Sequence, residues 1–158
     1  MAFKVGDTVT HPNYGAGVII DIRERKFLDA ARKPYYSIQL LGQPETTIMV
    51  ALRNAEQVGL RPTVSQSRLS RILRTLGSKP DELPSDHNRR YEMLRDKLYS
   101  GSALRIAEVL RDLAWRRETR KQLTTRGKRL YDKGMEFLAG EIAGVRHWEM
   151  DAAEYQIA

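Results

Sequence analysis

The stretch Gly59-Leu60-Arg61-Pro62-Thr63-Val64-Ser65-Gln66-Ser67-Arg68-Leu69-Ser70-Arg71-Ile72-Leu73-Arg74-Thr75-Leu76-Gly77 contains a change of hydrophobic period, and that change decides the fold. Leu69, Ile72, Leu73 and Leu76 fall at i, i+3, i+4 and i+7, which lines one face of a helix. Ser65 or Ser67 offers a side-chain oxygen to the free amides at its start, and Gly77 provides a stop. Gly59-Leu60-Arg61, by contrast, reads as the last of several short strands. The switch at Pro62 predicts two modules, residues 1–62 and 63–158.

Upstream, Thr8 to His11 precedes the turn residues Pro12-Asn13-Tyr14-Gly15, and Ala16-Gly17-Val18-Ile19-Ile20-Asp21-Ile22 is a β-branched run. Pro34 to Leu40 and Thr46 to Val50 give two more strands around Gly42-Gln43-Pro44. About five short strands in about 60 residues predict a small, strongly bent antiparallel barrel, because a flat sheet of that size buries only one face. Downstream, Ser78 to Pro84 is a loop broken by two prolines. Ser85 or Asp86 caps a second helix that points Tyr91, Leu94 and Leu98 inward, and Ser102 caps a third with Ile106, Val109, Leu110 and Leu113 on its apolar side. Thr124 or Thr125 caps a fourth that carries Leu130, Leu138 and Ile142. Residues 145–158 are either a last helix or a frayed tail. The fold class is α+β: a five-stranded antiparallel barrel followed by four to five helices.

Several chemistries are excluded by composition. The 158 residues include no cysteine, which removes disulfides, thiolate metal sites and cysteine nucleophiles, and the three histidines, His11, His87 and His147, are scattered. Ser/His/Asp triads, phosphate-binding loops and dinucleotide glycine patterns are missing, so neither catalytic residues nor a cofactor or metal is expected. The start has no apolar run of the signal-peptide kind and nothing approaches the length of a membrane span, so a cytoplasmic protein without a membrane partner is expected.

Charge is distributed unevenly. The net charge is +7, but residues 63–134 carry 18 Lys+Arg against 9 Asp+Glu, whereas residues 135–158 carry 1 against 5. Arg111, Arg116, Arg117, Arg120, Lys121, Arg126, Lys128 and Arg129 form the densest cluster, which reads either as a phosphate-neutralising surface or as a solvated helical face with pairs such as Asp112 to Arg116. Ser85-Asp86-His87-Asn88-Arg89-Arg90-Tyr91 is a second basic site, where a helix N-terminus with two arginines beside it suits a phosphate or is simply a capped start. Tyr14, Tyr35 and Tyr36 are either packing residues or a cage for a methylated amine, and Trp115 and Trp148 read as core or interface anchors.

The opening Phe3-Lys4-Val5-Gly6-Asp7-Thr8-Val9 and Pro12-Asn13-Tyr14-Gly15-Ala16-Gly17-Val18 closely resembles the N-terminal module of the CarD/CdnL family of bacterial transcription factors. The resemblance continues through Asn54-Ala55-Glu56-Gln57-Val58-Gly59-Leu60-Arg61, Asn88-Arg89-Arg90-Tyr91, Ile106-Ala107-Glu108-Val109-Leu110-Arg111-Asp112-Leu113 and Gly127-Lys128-Arg129-Leu130, and spans residues 1–144. Transcription-repair coupling helicases carry a module similar to the opening alone; the helical half makes the resemblance specific.

The resemblance implies a Tudor-like barrel that docks on the RNA polymerase β subunit, with Arg25 and Met49 at its contact positions. It implies a helical domain that touches promoter DNA at the upstream edge of the melted bubble, in the minor groove and on the phosphate backbone, through His87, Asn88, Arg89, Arg90, Lys128 and Arg129. This chain departs from the family's pattern in places. His87 stands where relatives place a wedging tryptophan, and imidazole covers less area than indole. Met49 replaces an often basic contact, Glu92 follows Tyr91 where a basic residue is common, and Ala51 replaces a proline. The expected function is a nonenzymatic initiation factor that bridges polymerase and promoter DNA, has low sequence specificity and no small-molecule substrate, and stabilises the open complex. Its rivals are a polymerase-bound repair or elongation adaptor and an autonomous nucleoid-type DNA-binding protein.

Overall fold

In a computed structural model, which describes residues 2–27 and 31–157, the chain forms five strands and then five helices. Strands β1 (Thr8–His11), β2 (Gly15–Arg25), β3 (Lys33–Leu40), β4 (Thr47–Ala51) and β5 (Arg61–Pro62) make one antiparallel sheet in the order β4-β3-β2-β1-β5. The edge strands β4 and β5 do not pair, so the sheet is bent but not closed, which corrects the expected barrel. The reason is chemical: β5 has two residues, and one of them, Pro62, has no amide hydrogen with which to extend a ladder.

Alternation assigns the faces. Val9, Ile19, Tyr36, Ile38 and Val50 are buried on the inner face, with Ala55 and Leu60 closing the cluster. Ile20 is the extra residue of a bulge between Ile19 and Asp21, which leaves it exposed and restores register beyond it.

The helices are α1 (Gln66–Thr75), α2 (His87–Leu98), α3 (Ala103–Arg120), α4 (Thr125–Arg146) and α5 (Met150–Ile157). The starts of the first four are fixed by side chains: Ser65, Asp86, Ser102 and Thr124 each accept the amide hydrogen three residues on. Each such cap contributes about 1 kcal/mol. A second core, around Leu69, Leu98, Val109, Leu113, Leu138 and Ile142, joins these helices, and the acidic terminal segment is helical, packed through Ala153.

Helix α4 fastens the helical core to the sheet. Gly15, at φ +88°, lies so close to Phe137 that an added Cβ would come within 2.9 Å of the ring, so both conformation and space require glycine there. Glu141, only 2% exposed, accepts from Thr10 Oγ1 at 3.1 Å, from Arg61 Nη1 and Nη2 at 3.1 and 2.8 Å, and from the Val64 amide at 2.8 Å. Arg61 Nε donates onward to the Gly101 carbonyl at 2.7 Å, before α3. One carboxylate thus ties β1, β5, the connection to α1 and α4 together.

Candidate nucleic-acid interface

The N-termini of α2 and α4 converge on one cavity of about 340 Å³, lined by residues that include His87, Asn88, Arg90, Tyr91, Arg116, Thr124 and Arg126. Each helix start turns unbonded amides and the positive end of its dipole toward this region. Arg126, in the first turn of α4, stacks over the Tyr91 ring at 3.9 Å and donates to Asn88 Oδ1 at 3.3 Å. Those two contacts hold the helix starts in register. Arg116 of α3 also lines the cavity; burial lowers its pKa first, and the positive charges of Arg90 and Arg120 lower it further. Unlike a balanced surface, a crowd of like charges is relieved when an anion binds.

The sequence-predicted residues occupy three kinds of position here. Asn88, Arg89, Lys128 and Arg129 are exposed near the starts of α2 and α4. His87 is exposed, and its Nδ1 lies 3.0 Å from Arg90 Nη2. A guanidinium has donors only, so Nδ1 accepts and neutral His87 carries its proton on Nε2, which leaves that N–H as the ring's donor. Arg90 differs from expectation. It is 6% exposed, and its Nη1 donates to the carbonyls of Pro84 and Ser85, both at 3.2 Å. Rather than offering its guanidinium to solvent, Arg90 fixes the loop before α2 and orients His87.

Arg111 is a second correction. It is 8% exposed and donates to Asp112 at 2.8 Å, Ser78 at 3.0 Å and Asp81 at 3.0 Å, which pins the α1–α2 loop onto α3. Burial opposes its charge, but the Asp112 hydrogen bond and the carboxylates of Asp112, Asp81 and Glu108 outweigh it and raise its pKa. Asp112 pairs with Arg111 and not, as the spacing suggested, with Arg116.

In the sheet, Arg25 pairs across β2–β3 with Lys33, and Met49 pairs across β3–β4 with Ser37. Lys33 and Ser37 lie an even number of residues apart, so Arg25 and Met49 share the outer face, with Tyr35 between them. Tyr36 is buried on the inner face, Tyr35 packs edge-on against Phe27, and Tyr14 lies against His11, so the three tyrosines form no cage. The tryptophans were expected as anchors in the core or an interface; Trp115 is 57% exposed and Trp148 42%. Among the described residues no cluster of metal-ligating side chains occurs, and no helix is long and apolar enough to cross a membrane.

Residues 3–64 match the family model described as the CarD-like/TRCF RID domain, and residues 71–158 match that of the CarD C-terminal domain. The sheet and the arginine-lined helix starts therefore belong to a protein of the transcription-regulator class. The chain is a member of the CarD family. It is similar to the candidate transcription factor YdeB of Bacillus subtilis (strain 168), at 28% identity over 144 residues that cover 91% of this chain and 92% of the relative.

Proposed function

We propose that this protein is a nonenzymatic initiation factor: residues 1–62 dock on the β subunit of RNA polymerase, and residues 63–158 hold promoter DNA at the upstream edge of the bubble and stabilise the open complex. It acts in the cytoplasm, on the nucleoid through polymerase. Arg25 and Met49 on the outer face of the sheet meet polymerase, while His87, Asn88, Arg89, Lys128 and Arg129 meet the minor groove and phosphates, and Arg90 positions them. The observation that carries this reading is the convergence of two arginine-flanked helix starts on one cavity, one of them that of α4, which is itself clasped to the sheet through Glu141.

The clasp explains how weak DNA contacts suffice. Docking the sheet raises the effective concentration of the helical region at the bubble, so base-specific reading is not needed. If the contacts form only with melted DNA, each 1.4 kcal/mol of their free energy shifts the closed-to-open equilibrium about tenfold. The test is the open-complex lifetime on one promoter with the cognate polymerase. The expected order is His87→Trp longest, wild type next, His87→Ala shorter, and no factor shortest. A wild-type protein that binds polymerase but leaves the lifetime unchanged contradicts the reading and favours an adaptor.

A further inference from the structure

Trp115 is the ridge between two clefts on α3. One, of about 470 Å³, is bounded by Leu76, Pro80 and Glu118; the other, of about 550 Å³, by Glu82, His87, Arg116 and Arg120. An indole 57% exposed on a soluble helix is unusual, since tryptophan normally hides most of its large apolar surface. Its helical neighbours set it in a polar frame: Arg116 and Arg120 stand one turn apart along the second cleft, and Thr119 spends its hydroxyl on the Trp115 carbonyl at 3.0 Å. The arginines have charged neighbours of the same sign, Arg90 beside Arg116 and Arg116 beside Arg120.

We infer that this surface binds an unpaired nucleotide, with the base stacked on the exposed indole of Trp115 and its phosphates held by Arg116 and Arg120. The cleft is also lined by Asp81, Glu82 and Asp112, but among the described residues neither Arg116 nor Arg120 is in an ion pair. An exposed aromatic ring beside such arginines is the combination that captures single strands without reading sequence, because every base has a π-face and every linkage a charge. A duplex does not fit the combination, since its bases are stacked on each other and present only their edges. The carboxylates around the cleft fix the direction of the strand. Asp112 and Asp81 are bonded to Arg111, and Asp81 also lies 4.0 Å from Lys97, whereas Glu82 is exposed and is in no ion pair among the described residues. Phosphates therefore run along the Arg116–Arg120 side, away from Glu82.

The inference rests on the nucleic-acid reading above and adds to it the kind of strand bound and the residue that binds it. It is tested on the full chain carrying Trp148→Phe, so that Trp115 is the remaining tryptophan, by titrating its fluorescence with a ten-nucleotide oligothymidylate and with a blunt duplex of the same length. The single strand quenches Trp115, Trp115→Leu weakens its binding about 5- to 150-fold as measured by anisotropy of a labelled strand, and Glu82→Gln tightens it. Duplex binding changes less than about 2-fold in Trp115→Leu. Unchanged single-strand affinity in Trp115→Leu, or an equal loss on duplex, overturns the inference. Duplex binding without single-strand binding overturns it while leaving the proposed function standing; absence of both overturns it too, and the proposed function then stands or falls by the open-complex lifetime, because docking supplies what weak DNA contacts lack.

Discussion

Glu141 and Arg61 form a two-pronged ion pair at 2.8 and 3.1 Å across eighty residues of sequence, with the carboxylate almost wholly buried and the guanidinium about a quarter exposed. Removing one member strands the other's charge, and for a buried pair that costs about 3–5 kcal/mol. With Arg61 partly wet, Glu141→Gln is expected to cost about 3 kcal/mol in urea unfolding. Replacing both, as Arg61→Met with Glu141→Leu, removes the stranded charge but leaves Thr10 Oγ1, the Val64 amide and the Gly101 carbonyl without these partners, so the recovery is only partial. A Glu141→Gln variant with unchanged midpoint means that the pair does not hold the sheet to α4.

Burial lowers the pKa of His11 below its ordinary 6.5, and its Nδ1 accepts from the Asn13 amide at 3.1 Å. The unfolded chain binds the proton more readily, so this contribution to stability is complete above pH 6.5 and is lost as the pH falls from there through the folded value. Thermal melts at pH 7.5 and 5.5 should therefore separate more for wild type than for His11→Gln. Equal separations would show that His11 has no part in the acid sensitivity.

Arg89 and Arg90 are neighbours in sequence with opposite expected effects. For a phosphate contact, the slope of log affinity against log salt falls by about 0.9 when the cation is removed from a duplex complex. Arg89→Ala should lower the slope by that amount and leave stability unchanged. Arg90→Ala should keep the slope and lose about 1–3 kcal/mol of stability, because the charged hydrogen bonds from the buried guanidinium to the Pro84 and Ser85 carbonyls are removed. An exchange of these two phenotypes would return Arg90 to the DNA surface.

Lys121 ends α3 at φ +66°, a left-handed conformation that costs a side chain about 1 kcal/mol. Lys121→Gly is expected to stabilise the protein by about 0.5–1 kcal/mol, read as a higher denaturant midpoint at constant m-value. It should also weaken DNA binding slightly if Lys121 adds to the basic surface.

Elements were legible in the sequence where the signal was local. Leu69 and Ile72, Leu94 and Leu98, and Val109 and Leu113 are buried as their periodicity required, and Ser65, Asp86, Ser102 and Thr124 cap the helices they precede. What was hidden depends on partners distant along the chain. Nothing near Arg111 announces that Asp81 and Ser78 will bury it, and nothing near Glu141 points to Thr10. Charge counting therefore placed Arg90 and Arg111 on the surface, and nothing local decided between core and interface for Trp115, which is exposed. Barrel closure failed for a related reason, since five strand-like segments do not say whether the first and last edges meet.

Helix α4 is a single unbroken rod from Thr125 to Arg146 that carries Arg126 at one end and, fourteen positions on, Gly140 against Ala16 of β2. Each position turns the rod by about 100° and advances it by about 1.5 Å, so the two stations stand about 21 Å apart with a fixed angle between them. In the proposed bridge α4 acts like a camshaft, setting in whole residues the angle at which DNA is offered to a docked polymerase. One residue inserted between the stations would swing Arg126 by about 100° relative to Gly140 and put Leu130 and Phe137, both buried between them, out of step with the helical core. Length in this segment is thus as strict a determinant of action as the identity of any side chain.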